Sequence, residues 1–151
     1  AVATTQEEVG LRGALVSTYG IVPDIGIAID VCHAETPGVP DWKTFSMGKG
    51  PSITQGANIH PAVYAGLDKA AKELGISVQP DVTPAATGTD AWAIQVARSG
   101  VATGLVSIPE RYMHTSVETF SVQDVDKAGR LIARFISSVD AAFVKELKTW
   151  T

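Results

Sequence analysis

The chain has 151 residues and a mass of 15.8 kDa, and its 45% hydrophobic and 19% charged content suits one folded domain with a sizeable core rather than a disordered segment. A net charge of −4 with Lys and Arg scattered singly leaves no basic stripe for nucleic acid. No apolar run approaches the roughly 18 residues of a membrane span, no signal-peptide pattern opens the chain, and Cys32 stands alone, so a reducing, cytoplasmic setting is expected.

In chain order, "AVATT" (1–5) predicts a strand, and Leu11, Leu15 and Tyr19 recur at helical spacing before a C-capping Gly20. "IGIAIDV" (25–31) is a continuous apolar run ending in Asp30, which predicts a strand covered on both faces. From Cys32 to Asn58 the chain is rich in Gly, Pro and polar residues, a long functional loop with a short strand near 43–47. Pro61 at a first turn, then Val63, Leu67, Ala70, Ala71 and Leu74 before Gly75, predicts a helix. "ISVQPDV" (76–82) is a weaker strand that Pro80, lacking an N–H, pushes toward an edge or an early end. Thr89 or Asp90 opens a short helix closed by Gly100, and "VATGLVSIP" (101–109) is another strand. Ser121 with Asp124 has the spacing of a capping box, opening a last helix striped by Val125, Ala128, Ile132, Phe135, Ile136, Val139, Phe143 and Leu147. Alternating strands and helices predict an α/β domain with a mostly parallel sheet flanked by helices.

Ligands of open α/β sheets gather beyond the carboxyl ends of the strands. Glu7 and Glu8 follow the first apolar run, Asp30 closes the second, Asp90 lies after the third, and Glu110, Arg111 and His114 follow the fourth. Carboxylates and an imidazole arriving from separate strands are the ligand set of zinc or a similar ion. Neighbours on a strand point to opposite sides, so one Glu could bind metal while the other takes a proton from water. By spacing alone the Glu pair also fits a solvated surface, His114 a capped loop histidine and Asp30 a turn residue.

Two other histidines are poorer ligands. His33 lies three residues from Asp30, which turns it to the opposite face of a strand, and His60 just before Pro61 reads as a loop or capping residue. Trp92 and Trp150 read as packing, Met47 and Met113 as filler, and Trp42 in the long loop has the better claim to a binding surface. Cys32 is a poor nucleophile, since the adjacent His33 points the other way.

The motifs "TTQEEVGLRGA", "AIDV…ETPG", "GTDAWAIQVARSGV" and "IPERYMHTSVE", in this order, resemble the glutamyl and deblocking aminopeptidase family of cocatalytic metallopeptidases, which includes tetrahedral dodecamers. The resemblance implies a zinc-peptidase-like catalytic domain that holds two divalent ions, zinc or cobalt, and removes N-terminal residues from peptides. It implies Glu7 as general base, Glu8 and His114 as ligands of one metal, and Asp30 as a ligand of the other. Gly88, Thr89, Asp90 and Arg111 are implied near the substrate.

The family's remaining ligands, a histidine in an H-x-D motif and a bridging aspartate, lie upstream of the Glu pair, and its dimerisation domain does too. Only six residues precede Glu7, none of them His or Asp. The chain is therefore expected to be the C-terminal portion of a catalytic domain, incomplete at its N-terminus, holding one ion or none by itself. Its expected partners are a peptide substrate, the missing N-terminal segment of the same protein and, in full-length form, further copies of itself. A glucanase remains an alternative, since members of the family have carried that label, but adjacent glutamates do not flank a glycosidic bond from opposing sides. A non-catalytic module is the third reading.

Overall fold

The computed structural model describes residues 1–147; Trp150 lies outside the described residues. The chain runs α1 (Arg12–Ile21), β1 (Ile25–His33), a 3₁₀ turn at Asp41–Lys43, β2 (Ser52–Gly56), α2 (Pro61–Leu74), β3 (Gln79–Thr83), α3 (Asp90–Gln95), β4 (Ala102–Arg111), β5 (Thr119–Phe120), α4 (Val122–Ser138) and α5 (Ala141–Leu147). The sheet order is β1-β4-β2-β3, with β5 paired to β4. β1 and β4 are parallel, as are β2 and β3, while β4 meets β2 and β5 antiparallel. The mostly parallel α/β expectation holds, and Pro80 sits on an edge strand as its missing N–H requires.

Two apolar clusters sandwich the sheet. On one face Ile53 and Val106 meet Val63 and Leu67 of α2 and Ala128, Leu131 and Phe135 of α4. A Cβ on Gly66 would overlap the Phe135 ring, so this glycine sets how closely the two helices approach. On the other face Ala28 and Leu105 pack with Ala91 of α3 and Ile59.

Several elements differ from the sequence expectation, each for a local reason. Residues 1–5 form no strand: they are exposed, and the Gly13 N–H donates to the Thr5 carbonyl at 2.9 Å. β1 is not covered on both faces. It is an edge strand with Ile29 61% exposed, and it runs on to His33. α1 passes through Gly20 and ends at a left-handed Val22, while the Arg98 guanidinium donates to the Tyr19 carbonyl at 2.7 Å. Its periodic residues face outward, with Leu15 and Tyr19 exposed and Ala14 and Thr18 buried.

In the long loop no strand forms at 43–47. Phe45 only bridges to Ala34. α3 stops at Gln95, short of Gly100. β4 extends two residues beyond 109, so Glu110 and Arg111 belong to the strand. The last helix is two helices, because the Asp140 carboxylate accepts from the Phe143 N–H at 2.8 Å and starts a new one.

Ser121 and Asp124 form no capping box. Ser121 precedes α4 without a side-chain cap, and Asp124, fully buried, instead accepts from the backbone N–H groups of Gly48 at 2.6 Å and Gly50 at 2.8 Å. The buried stripe of α4 follows it as Asp124, Ala128, Leu131 and Phe135, leaving Val125 and Ile136 exposed. No helix among the described residues is long and apolar enough to cross a membrane.

Candidate active site

The pairings across the sheet set out a floor. Asp30 lies beside Ser107, Ser107 beside Ser52, and Ser52 beside Gln79. Strand side chains alternate between faces, so Asp30, Cys32, Thr54, Gln79, Asp81 and Thr83 share the face on which α3 packs. A cavity of about 1030 Å³ opens over it, lined by Glu7, Glu8, Asp30 and His114 at one end and by Gln79, Asp81 and Thr83 elsewhere.

Glu7 and Glu8 sit on a turn, not on a strand. The Glu7 carbonyl accepts from the N–H groups of Gly10 at 3.1 Å and Leu11 at 2.9 Å, and Gln6 takes a positive φ of 59° to enter the turn. The alternation of strand faces therefore does not separate the two side chains, and both reach the same cavity. Gly13 holds the turn in place, since a Cβ there would collide with the Thr5 backbone.

His114 comes from the loop between β4 and β5, where its backbone N–H donates to Glu118 at 2.7 Å and its own φ is 61°. Its Nε2 stands 3.3 Å from Oε1 of Glu8, long for an N–H···O hydrogen bond. The carboxylate and the imidazole stand close enough that one divalent ion, if bound, would be held by both. No group of three or more His, Cys, Asp or Glu among the described residues could hold a metal ion. The Glu8–His114 pair thus fits one ion in part.

The electrostatics match a site built for positive charge. Burial, then the charges of Asp30, Glu8 and Asp90, push the Glu7 carboxyl above its ordinary value. Burial, with Asp90 and Glu8, does the same for Asp30, against a backbone N–H bond from Val31 at 2.7 Å. A raised folded-state pKa means that the ionised carboxylate opposes folding at neutral pH, and that the penalty fades as pH falls through that pKa toward the unfolded value. Asp30→Asn is therefore expected to raise the melting temperature of the metal-free chain by about 1–3 °C at pH 7.5, with the gain vanishing at pH 3; thermal unfolding by circular dichroism at both pH values measures it.

The other candidates divide. Gly88 and Thr89 line the cavity. Thr89 is the residue that caps α3, accepting from the Ala91 N–H at 3.3 Å. Asp90 is the first residue of α3, accepts from the Thr4 hydroxyl at 2.6 Å, and keeps its buried Oδ1 without a partner. Arg111 lies on the same sheet face as Asp30, with a buried, unpartnered Nε. His33 lines the cavity but pairs with Glu110 on the opposite-facing set.

His60 caps α2, accepting from Ala62 N–H at 3.2 Å. Trp42 is 81% exposed and Trp92 partly so. The Cys32 thiol, pushed up to about 12 by burial and then by Asp81 and Asp30, is no nucleophile at neutral pH.

Glu110, which the sequence also places after the fourth apolar run, pairs with His33 and so lies on the strand face opposite Asp30. It is buried, and its carboxyl is raised by burial and by Glu118.

The fold is an α/β sheet with the Glu8–His114 pair and Asp30 at one end of its cavity. The chain belongs to the M42 glutamyl aminopeptidase family, whose model matches residues 1–131. It is 45% identical over 130 residues to a lysyl aminopeptidase of Pyrococcus furiosus, a match covering 86% of this chain and 38% of that protein. An aminopeptidase from the archaeon Desulfurococcus kamchatkensis superposes with a TM-score of 0.87 at 38% identity, over 97% of this chain and 43% of the other. The Pyrococcus horikoshii TET1 peptidase, described as able to assemble into a tetrahedron or a large octahedral shell, gives a TM-score of 0.70 at 32% identity, over 87% and 38% of the two chains. The chain spans about two fifths of the length of these relatives.

Proposed function

We propose that the full-length protein is a metal-dependent aminopeptidase acting on peptides in the cytoplasm, and that this chain is the C-terminal portion of its catalytic domain. The observation that carries the reading is the meeting of Glu7, Glu8, Asp30 and His114 in one cavity of a chain with this family membership. Glu8 and His114 would hold one divalent ion and Asp30 would contribute to a second, with the remaining donors on other parts of the polypeptide. Zinc or cobalt bound there would polarise the scissile carbonyl and acidify a water.

Glu7, next to the ligand Glu8 and, among the described residues, in no ion pair of its own, takes the proton from the attacking water and returns it to the leaving amine. Its raised affinity for a proton suits that task, because a base works best when its pKa approaches the working pH. The Gly88–Thr89 turn bounds the substrate's path, and Arg111 lends positive charge near the carbonyl. Assembly into a closed shell, as described for the TET1 peptidase, is proposed for the full-length protein.

The glycosidase alternative is disfavoured by the shared turn of Glu7 and Glu8, which places both carboxylates on one side of any bound substrate. Zinc titration of this chain with a competing chelator tests the ligand assignment. One weakly held ion is expected, lost in Glu8→Ala and His114→Ala, and retention of the same affinity in both variants would overturn it.

A further inference from the structure

Asp90 is absent from the lining of the cavity, and the cap of α3 belongs to its neighbour Thr89. Neither substrate contact nor helix capping therefore accounts for its carboxylate. Its Oδ2 accepts from the Thr4 hydroxyl at 2.6 Å, a bond between residues 86 positions apart, while its buried Oδ1 has no partner. Among the described residues the Thr4 hydroxyl is the one side-chain donor that this carboxylate meets. The separation is that of a charge-assisted O–H···O bond.

Thr4 leads into the turn that carries Glu7 and Glu8. Two non-glycine residues flank the pair in the left-handed region, Gln6 at φ 59° and Leu11 at φ 54°, a backbone that persists only where its surroundings over-determine it. The bonds to the Glu7 carbonyl close the turn but are local to it, so they do not say where the turn sits. Two contacts of the lead-in do. The Gly13 N–H donates to the Thr5 carbonyl at 2.9 Å, with no room for a Cβ beside it, and ties the lead-in to the start of α1. The Thr4–Asp90 bond ties it to α3.

α3 also holds the strand that carries Asp30. Ala91 packs in one cluster with Ala28, two residues before Asp30 on the same strand face, and an Ile94 methyl group fills the space over Gly26. The helix thus joins β1 to the Glu7–Glu8 turn, and Asp90 is the joint.

We propose that Asp90 is a positioning residue: through the Thr4 hydroxyl it fixes the Glu7–Glu8 turn relative to β1, so that the general base and the metal ligands keep their placement. The inference rests on the aminopeptidase reading and adds to it the residue that sets the geometry.

The test measures zinc affinity against a competing chelator, and kcat and KM on the p-nitroanilides of Leu, Lys and Glu, in the full-length protein. Removing a partner that orients a metal ligand costs about 10- to 100-fold in metal affinity or activity. Thr4→Val and Asp90→Ala are each expected to lose about that much in kcat, with KM within about threefold, and to bind zinc about tenfold more weakly. The double variant should lose no more than the more impaired single variant, because both changes remove one bond. Thr4→Ser keeps the hydroxyl and Asp90→Asn keeps an acceptor, so each should recover most of the loss.

Thr4 is exposed and outside any helix, so Thr4→Val carries the test even where Asp90→Ala unfolds α3. Unchanged zinc affinity and kcat in Thr4→Val overturn the assignment, as do losses that add in the double variant. Asp90→Asn as impaired as Asp90→Ala overturns it too, by making the charge responsible rather than the bond. Each of these leaves the aminopeptidase reading standing, whereas an unaltered protein that hydrolyses none of the three anilides overturns both.

Discussion

Asp124→Ala is expected to destabilise the chain by about 3–5 kcal/mol. The side chain is fully buried, and its two oxygens are the acceptors for the Gly48 and Gly50 N–H groups. Truncation strands two donors, each costing about 1–3 kcal/mol when buried without a partner. It also removes the acid 3.6 Å from the Lys127 ammonium, which is mostly buried, and breaking such a pair is costlier than never having made it. An acid in the first turn of a helix adds a smaller favourable term through the dipole.

Urea unfolding monitored by circular dichroism measures the loss. A cost under about 1 kcal/mol would mean that water replaces the carboxylate, so that this anchor does not hold the loop. Asp124→Asn separates the contributions, because the amide keeps one acceptor and should cost clearly less than Ala.

Glu7→Gln in the full-length protein is expected to lower kcat by about 10²- to 10⁴-fold, the range over which a positioned base contributes, with zinc affinity near that of the unaltered protein. Gln keeps the size and hydrogen-bonding capacity of Glu but cannot accept the proton of the attacking water. Glu8→Ala and His114→Ala should act differently, losing activity together with metal. Steady-state rates alongside a zinc titration distinguish the two patterns. If Glu7→Gln kept kcat within a factor of three, the base would have to be another carboxylate of the cavity, with Asp30 next in line.

The parts of the fold that could be read from the sequence are those whose cues are local. Pro61 and Gly75 bound α2 as expected because a ring without an N–H and a left-handed cap act on their own residues. Pro80 on the edge strand follows the same logic. The failures come from long-range partners. Asp124 stands three residues after Ser121, as a capping box requires, but it serves a loop 74 residues away, which no local pattern encodes. The bias of the last stripe toward Ile132 and Ile136 rather than Leu131 follows from the same misreading, since the helix face is set by where Asp124 must point.

Of the candidate site, the sequence names Glu7, Glu8, Asp30 and His114, and these four line one cavity. Their local setting was not. The Glu pair occupies a turn with a positive φ at Gln6, and Asp81, three strands across the sheet from Asp30, carries no cue in its neighbours that it faces the same hollow.

The bare flank of the sheet also governs how this stretch would behave by itself in solution. β1 is nine residues long and, among the described residues, pairs with β4 alone, with Ile29 open to water, and Leu15, Val16, Tyr19 and Ile21 of α1 are exposed. Long apolar edges of that kind recruit other strands. Handled alone, the chain would gather into larger species as its concentration rises, whereas a polypeptide that lays its own backbone along that edge would stay monodisperse.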